Sequence, residues 1–241
     1  MTKMEGKGLV MRIDSHQHFW KLNRGDYDWL TPRLDVLYRD YLPADLHPYL
    51  IEHNIDYTVL VQAAPTVAET KFMLKLYDEH EFIAGVVGWL DLESDHFKDQ
   101  FYRFRENRGF VGIRPMLQDL EDDQWILRPK VMKHLEILIE VDFPIDLLVF
   151  PRHLPYIIEL LEHLPELKAV INHGAKPNIA RGVMEPWKEY LAQIGSYSKV
   201  MCKLSGLITE AAHQNWKTDD LVPYVHHIID VFGPKRVLFG S

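Results

Sequence analysis

His16-Gln17-His18 comes directly after a short apolar run, residues 9–13. Side chains two apart on a strand point to the same side, so Asp14, His16 and His18 would face one way. Two imidazoles at that spacing can chelate one divalent cation or grip one anion. In a chain with 13 histidines a lone His-x-His pair says little, and two polar turn residues are the plain alternative. His226-His227, for instance, reads as a solvated helix face. His173 strengthens the case. It follows another apolar run, residues 167–171, and precedes a glycine turn in Asn172-His173-Gly174-Ala175-Lys176-Pro177. A third imidazole would complete a tridentate site with an open position for water.

Four further residues end, interrupt or follow apolar runs. Arg114, in Gly112-Ile113-Arg114-Pro115, offers a guanidinium suited to a carboxylate or an oxyanion; a structural ion pair is its bland reading. Lys203, in Cys202-Lys203-Leu204-Ser205-Gly206, lies inside an apolar run, where lysine is seldom buried unpaired. It either faces inward or snorkels outward. Gln62 could hydrogen-bond a substrate or cap a strand. His153, in Pro151-Arg152-His153-Leu154-Pro155, could bind substrate or simply start a helix. Other chemistries lack their signatures: no Gly-x-Ser-x-Gly elbow, Walker loop or His-Glu-x-x-His motif is present. Cys202 has no partner that marks it as a nucleophile and reads as a buried apolar residue.

The elements that must position these groups alternate along the chain. Nearly continuous apolar runs fall at residues 9–13, 57–61, 82–90, 110–113, 144–150, 167–171, 199–204 and 236–239. Strands buried on both faces look like this. Helical spacing fills residues 69–80, 94–107, 129–141, 155–164, 185–196 and 221–232; Ile157, Ile158, Leu160, Leu161 and Leu164 form one such stripe. Strands alternating with helices predict parallel pairing through right-handed crossovers. Eight strands predict a single α/β domain over residues 1–241, a (β/α)₈ TIM barrel. A doubly wound open sheet is the competitor, but the first strand is followed by no glycine-rich loop. Residues 19–50, aromatic and proline-containing, read as a loop over the mouth. The eighth run is followed only by Gly240 and Ser241, so the chain reads as cut after strand 8, with an eighth helix expected beyond it.

Composition excludes several classes. Of 241 residues, 47% are hydrophobic and 26% charged, with 27 Lys plus Arg against 35 Asp plus Glu and a net charge of −8. An acidic chain without a dense basic run does not fit nucleic-acid binding. No stretch approaches the ~18 apolar residues of a membrane span. The single cysteine allows no internal disulfide, which fits a cytoplasmic location, and the charged start lacks the apolar block of a signal peptide. The sequence leaves the oligomeric state open, a homo-oligomer included.

The opening Ile13-Asp14-Ser15-His16-Gln17-His18-Phe19-Trp20 resembles that of the amidohydrolase superfamily. More closely, it is similar to the amidohydrolase-2 branch of sugar lactonases and the related pyrone-dicarboxylate lactonases. Further matching stretches are TVLVQAAP at 58–65, IAGVVGWLDLES at 83–94, VGIRPMLQD at 111–119, DLLVFPRHLP at 146–155, NHGAKP at 172–177, CKLSGLITEA at 202–211 and FGPKRVLFGS at 232–241. The resemblance implies a distorted (β/α)₈ barrel and hydrolysis of sugar-acid lactones. It places the metal or catalytic histidines at His16, His18 and His173 and the fourth-strand arginine at Arg114. No strand-four lysine is present to bridge two metals, so it implies one divalent ion, zinc, or none. It also implies that Gly240-Ser241 continues into an aspartate that serves as general acid/base, without which the chain would be inactive or impaired.

The expected function is therefore opening of a small lactone by water attack on a carbonyl polarised by the histidine or metal site. Gln62, Arg114, His153 and Lys203 are the expected substrate-binding residues. Amide hydrolysis or aromatic-acid decarboxylation on the same barrel, and a barrel that merely binds sugar acids, stay open at this point.

Overall fold

The alternation of apolar runs and helical stretches folds into one sheet of eight parallel strands in the order β1 to β8. The computed structural model describes residues 11–241; the first part of the 9–13 run lies outside the described residues. The strands are β1 (Ile13–Gln17), β2 (Tyr57–Val61), β3 (Ile83–Gly88), β4 (Phe110–Ile113), β5 (Ile145–Leu147), β6 (Ala169–Ile171), β7 (Val200–Leu204) and β8 (Val237–Phe239). The helices are α1 (Pro43–Glu52), α2 (Val67–Glu79), α3 (Phe97–Arg105), α4 (Pro129–Glu140), α5 (Leu154–His163), α6 (Trp187–Gly195) and α7 (Thr218–Phe232). Each strand pairs in parallel with its sequence neighbour. Among the described residues no backbone ladder joins β8 to β1. Side chains bridge that seam instead: Ser15 Oγ donates to the Phe239 carbonyl at 2.5 Å, and the Ser241 amide donates to Asp14 Oδ1 at 3.0 Å. The result is the expected distorted (β/α)₈ barrel.

Two expectations are corrected. The first strand does not precede the histidine motif; it runs into it and ends at Gln17, one residue before His18. Gln17 pairs with Leu60, and the register shifts between Asp14 and Gln17. A bulge there re-aims the side chains of Ser15 and His16. Second, residues 19–50 are not all loop, because their last part enters α1, the crossover from β1 to β2. Pro43 starts that helix, where its missing N–H costs nothing, and Asp45 accepts from the Leu42 amide at 2.8 Å. Pro48 within the same stretch disguises the helix in the sequence.

The ladders are shorter than the apolar runs. Leu148 and Val149 are buried beyond the end of β5, because an apolar run marks burial rather than pairing. The main core lies between the sheet and the helices: Ile157, Leu160 and Leu161 of α5 are wholly buried in it, while Ile158 is only partly covered. A smaller cluster of Trp20, Tyr27, Leu30, Ala63 and Ala64 lies under the 19–42 loop. Buried Glu69 of α2 anchors that loop, accepting from Tyr27 Oη at 2.8 Å and the Ala63 amide at 3.1 Å, with Arg24 at 3.2 Å. Among the described residues, no helix is long and apolar enough to cross a membrane.

Candidate active site

Side chains from alternate strands of a barrel interior share layers, and two such layers build this site. The odd strands contribute His16 (β1), Asp146 (β5) and Lys203 (β7). Lys203 Nζ donates to Asp146 Oδ2 at 2.6 Å and lies 3.3 Å from His16 Nδ1. All three are almost fully buried. The even strands contribute the residue directly after each ladder: Gln62 (β2), Arg114 (β4) and Asn172 (β6). Gln62 Nε2 donates to the Arg114 carbonyl at 2.9 Å, and Arg114 Nη2 donates back to the Gln62 carbonyl. Arg114 Nη1 reaches Asn172 Oδ1 at 3.5 Å, and Asn172 Nδ2 donates to Asp146 Oδ2 at 3.1 Å, linking the two layers. Gln62 Oε1 and Arg114 Nε are buried without a hydrogen-bond partner among the described residues.

The histidines converge on this floor. His16 Nε2 and His18 Nε2 stand 3.1 Å apart. His18 Nδ1 donates to the Val61 carbonyl at 2.7 Å; a carbonyl can only accept, so His18 turns a lone pair on Nε2 toward His16. The His173 ring centroid lies 4.5 Å from that of His16, and its Nδ1 is 2.7 Å from Ser205 Oγ. Gly206 makes this approach possible: a Cβ there would stand 2.8 Å from His173 Nδ1. Asp14 is buried but points away from metal chemistry, because its Oδ1 accepts the amides of His16 and Ser241, both at 3.0 Å. Among the described residues, no group of three or more His, Cys, Asp or Glu is arranged to hold a metal ion as it stands.

Burial, reinforced by neighbouring cations, holds these imidazoles neutral. It pushes His16 well below its usual value, with Lys203 adding to the effect. It lowers His18 and His173 to about 3, with Arg114 the next cause for each. Burial also lowers Arg114 to about 10, which leaves it cationic at neutral pH. Lys203 is lowered by burial against the opposing pull of Asp146. The mouth therefore offers unprotonated imidazoles under a positive field.

The structure thus brings together His16, His18, His173, Arg114, Gln62 and Lys203, and turns Lys203 inward. His153 stays apart. The Phe150 amide donates to its Nδ1 at 2.9 Å, and its Nε2 lies 3.1 Å from Asp123, so it fastens the loop after β5. Asp146, Asn172 and Ser205 are site residues that the sequence reading missed. Asp146 had a usable signal: like Lys203, it is a charge inside an apolar run.

In barrels of this kind the catalytic groups sit at the C-terminal mouth, and neutral imidazoles beside two cations suit chemistry that polarises a carbonyl. The chain is a member of the amidohydrolase family, whose model matches residues 13–241. It is 40% identical over 236 residues to an L-fucono-1,5-lactonase of Burkholderia ambifaria, covering 97% of this chain and 80% of that protein. It is 34% identical over 245 residues to an L-fucono-1,5-lactonase of Burkholderia multivorans, covering 96% and 81%. A crystal structure of an amidohydrolase from Burkholderia multivorans with bound zinc matches with a TM-score of 0.90 at 34% identity, covering 96% of this chain and 84% of that one.

Proposed function

We propose that this protein hydrolyses the 1,5-lactone of a sugar acid. The observation that carries the reading is the convergence of His16, His18 and His173 on the floor that holds Arg114 and Lys203. The extensive similarity to L-fucono-1,5-lactonases supports it.

The His16–His18 pair has the spacing of two ligands on a single divalent ion. Two nitrogens on one tetrahedral zinc stand about 3.3 Å apart when each Zn–N bond is about 2.0–2.1 Å. The 3.1 Å between His16 Nε2 and His18 Nε2 is close to that edge, and neutral imidazoles are the form that ligates. His16 and His18 would hold the ion and His173 would complete the set, with zinc the choice that suits nitrogen donors. Such an ion acts as a Lewis acid on the lactone carbonyl.

The rest of the chemistry belongs to this chain. Arg114 and Lys203 place positive charge where the carbonyl oxygen becomes anionic, and they do so in a water-poor site where that charge counts most. The Val61 carbonyl and Ser205 fix the ring orientations of His18 and His173, so little reorganisation accompanies the reaction. Gln62 Oε1 is an unused acceptor for a sugar hydroxyl. Ser241 is fastened to Asp14, and a Cβ on Gly240 would stand 2.7 Å from His16 Cβ, so the end of β8 packs against His16. A cytoplasmic location is part of the same reading, supported by the lone, buried Cys202.

The test is proton release from L-fucono-1,5-lactone and a panel of other sugar-acid lactones, before and after chelation. The expected result is rapid opening of one 1,5-lactone, lost on chelation and restored by zinc. Opening that ignores chelation would remove the metal from the scheme. Failure to open any lactone would overturn the reading.

A further inference from the structure

His173, Gly174, Ala175 and Lys176 adopt φ of 53°, 57°, 60° and 52° in succession. They form one left-handed turn, closed by the Lys176 amide on the His173 carbonyl at 2.9 Å. Left-handed backbone is costly for residues that carry a Cβ, and three of these four do. Such strain persists only where the surroundings over-determine it, and it gathers at functional sites. Here Trp187 Nε1 donates to the Gly174 carbonyl at 2.7 Å, and Ser205 Oγ holds His173 Nδ1. In a turn closed between residues three apart, the first and last project to the same side. The turn therefore ties the position of Lys176 to that of His173.

Lys176 has no use in the hydrolysis described above. Its side chain is only 18% exposed, yet its partner is loose, with Nζ 4.0 Å from Glu210 Oε1. The same Nζ lies 5.2 Å from the centroid of the Phe150 ring. Lys176, Glu210 and Phe150 line a cavity of about 460 Å³ together with Arg152, Glu185 and Trp187, a size that suits a small molecule. Its two cations face two carboxylates, and Arg152 is already engaged by Asp123 at 2.9 Å. An anion would find no uncompensated charge here. A hydroxyl, which both donates and accepts, would find a lysine donor beside a glutamate acceptor over an apolar floor.

We propose that Lys176 and Glu210 form a polyol subsite beside His173, which binds the hydroxyl-bearing carbons of a neutral polyhydroxylated substrate and selects it over unsubstituted or carboxylated lactones. This rests on the lactonase reading for its substrate. The experiment compares kcat/KM on L-fucono-1,5-lactone and on unsubstituted δ-valerolactone for the parent protein, Lys176→Met and Glu210→Gln. Calorimetric binding of L-fucose, a neutral polyol that is not turned over, is measured on the same proteins. The loss of one hydrogen bond from a charged group is worth roughly tenfold to a hundredfold. Lys176→Met is therefore expected to reduce the preference for the sugar lactone over δ-valerolactone by about tenfold or more, chiefly through KM, and to weaken L-fucose similarly. Glu210→Gln keeps an acceptor and is expected to lose less. Discrimination and L-fucose binding that both survive in the two variants would overturn the subsite, as would the parent protein failing to bind L-fucose. Lysine-dependent binding of L-fucose with no lactone opened would keep the subsite and reject the lactonase reading.

Discussion

Lys203 on β7 reaches across β6 to Asp146 on β5, Nζ to Oδ2 at 2.6 Å, and the same ammonium lies 3.3 Å from His16 Nδ1 on β1. The barrel thus places one buried ion pair beneath its imidazoles. Removing one partner of such a pair leaves a charge buried without compensation, at a cost of about 3–5 kcal/mol. Asp146→Ala should lower the urea midpoint accordingly. The double change Asp146→Leu with Lys203→Met should recover much of the loss, because it removes both charges and keeps the volume. A single variant as stable as the parent would show that the pair carries no such burden.

The same proximity separates two histidines by function. His16 faces His18, His173 and Lys203, whereas His153 faces Phe150 and Asp123. His16→Ala should lower kcat/KM for lactone opening by about two to four orders of magnitude, from lost carbonyl polarisation and general catalysis. His153→Ala should chiefly cost stability through the loop after β5. Steady-state rates and thermal midpoints of both variants check this; equal rate losses would refute the separation.

Neutral imidazoles make the fold sensitive to acid. His18 and His173 are lowered to about 3 by burial, and His16 is lowered well below its usual value for the same first reason. Each has an ordinary value near 6.5 once unfolded, so between about 3 and 6.5 the unfolded chain binds more protons than the folded one. Stability from these groups is complete above about pH 6.5 and declines as pH falls through that window. With up to three protons involved, the slope approaches about 4 kcal/mol per pH unit. Denaturant unfolding at pH 7, 6 and 5 should show falling midpoints; a flat profile would mean that the rings titrate alike in the folded and the unfolded chain.

How legible all this was in the sequence depended on the kind of signal. The strands were legible because both of their faces are buried, so the apolar runs stood out. α1 was not, because Pro48 and its polar neighbours broke the helical pattern in a stretch dominated by the aromatic loop. Gln62 and Arg114 were found as the residues that end apolar runs. Asn172 occupies the equivalent place after β6, but an asparagine ahead of His173-Gly174 reads as an ordinary turn residue. Asp146 is the more instructive miss. A lysine inside one buried strand requires a nearby anion, and an aspartate inside another is the simplest supply. Which strands lie one apart around a barrel is fixed by topology, and that pairing emerges only once β5, β6 and β7 are in order.

Gly206 has a φ of +60°, and a Cβ there would stand 2.8 Å from His173 Nδ1. Two penalties would therefore act on Gly206→Ala. The left-handed backbone costs an alanine about 1 kcal/mol relative to glycine. The added methyl also meets the imidazole, which cannot retreat freely: Ser205 Oγ holds its Nδ1 at 2.7 Å, and its own backbone is confined to the left-handed turn braced by Trp187. The expected outcome is a modest loss of stability, about 1–2 kcal/mol, with a much larger loss of rate, because a ring displaced by even part of an ångström no longer meets His16 and the carbonyl in the productive geometry. A Ser205→Ala comparison separates orientation from crowding, since it frees the ring without filling its space and should lower the rate with little change in stability. If Gly206→Ala lost stability and kept its rate, the position of His173 would not govern the chemistry of this mouth.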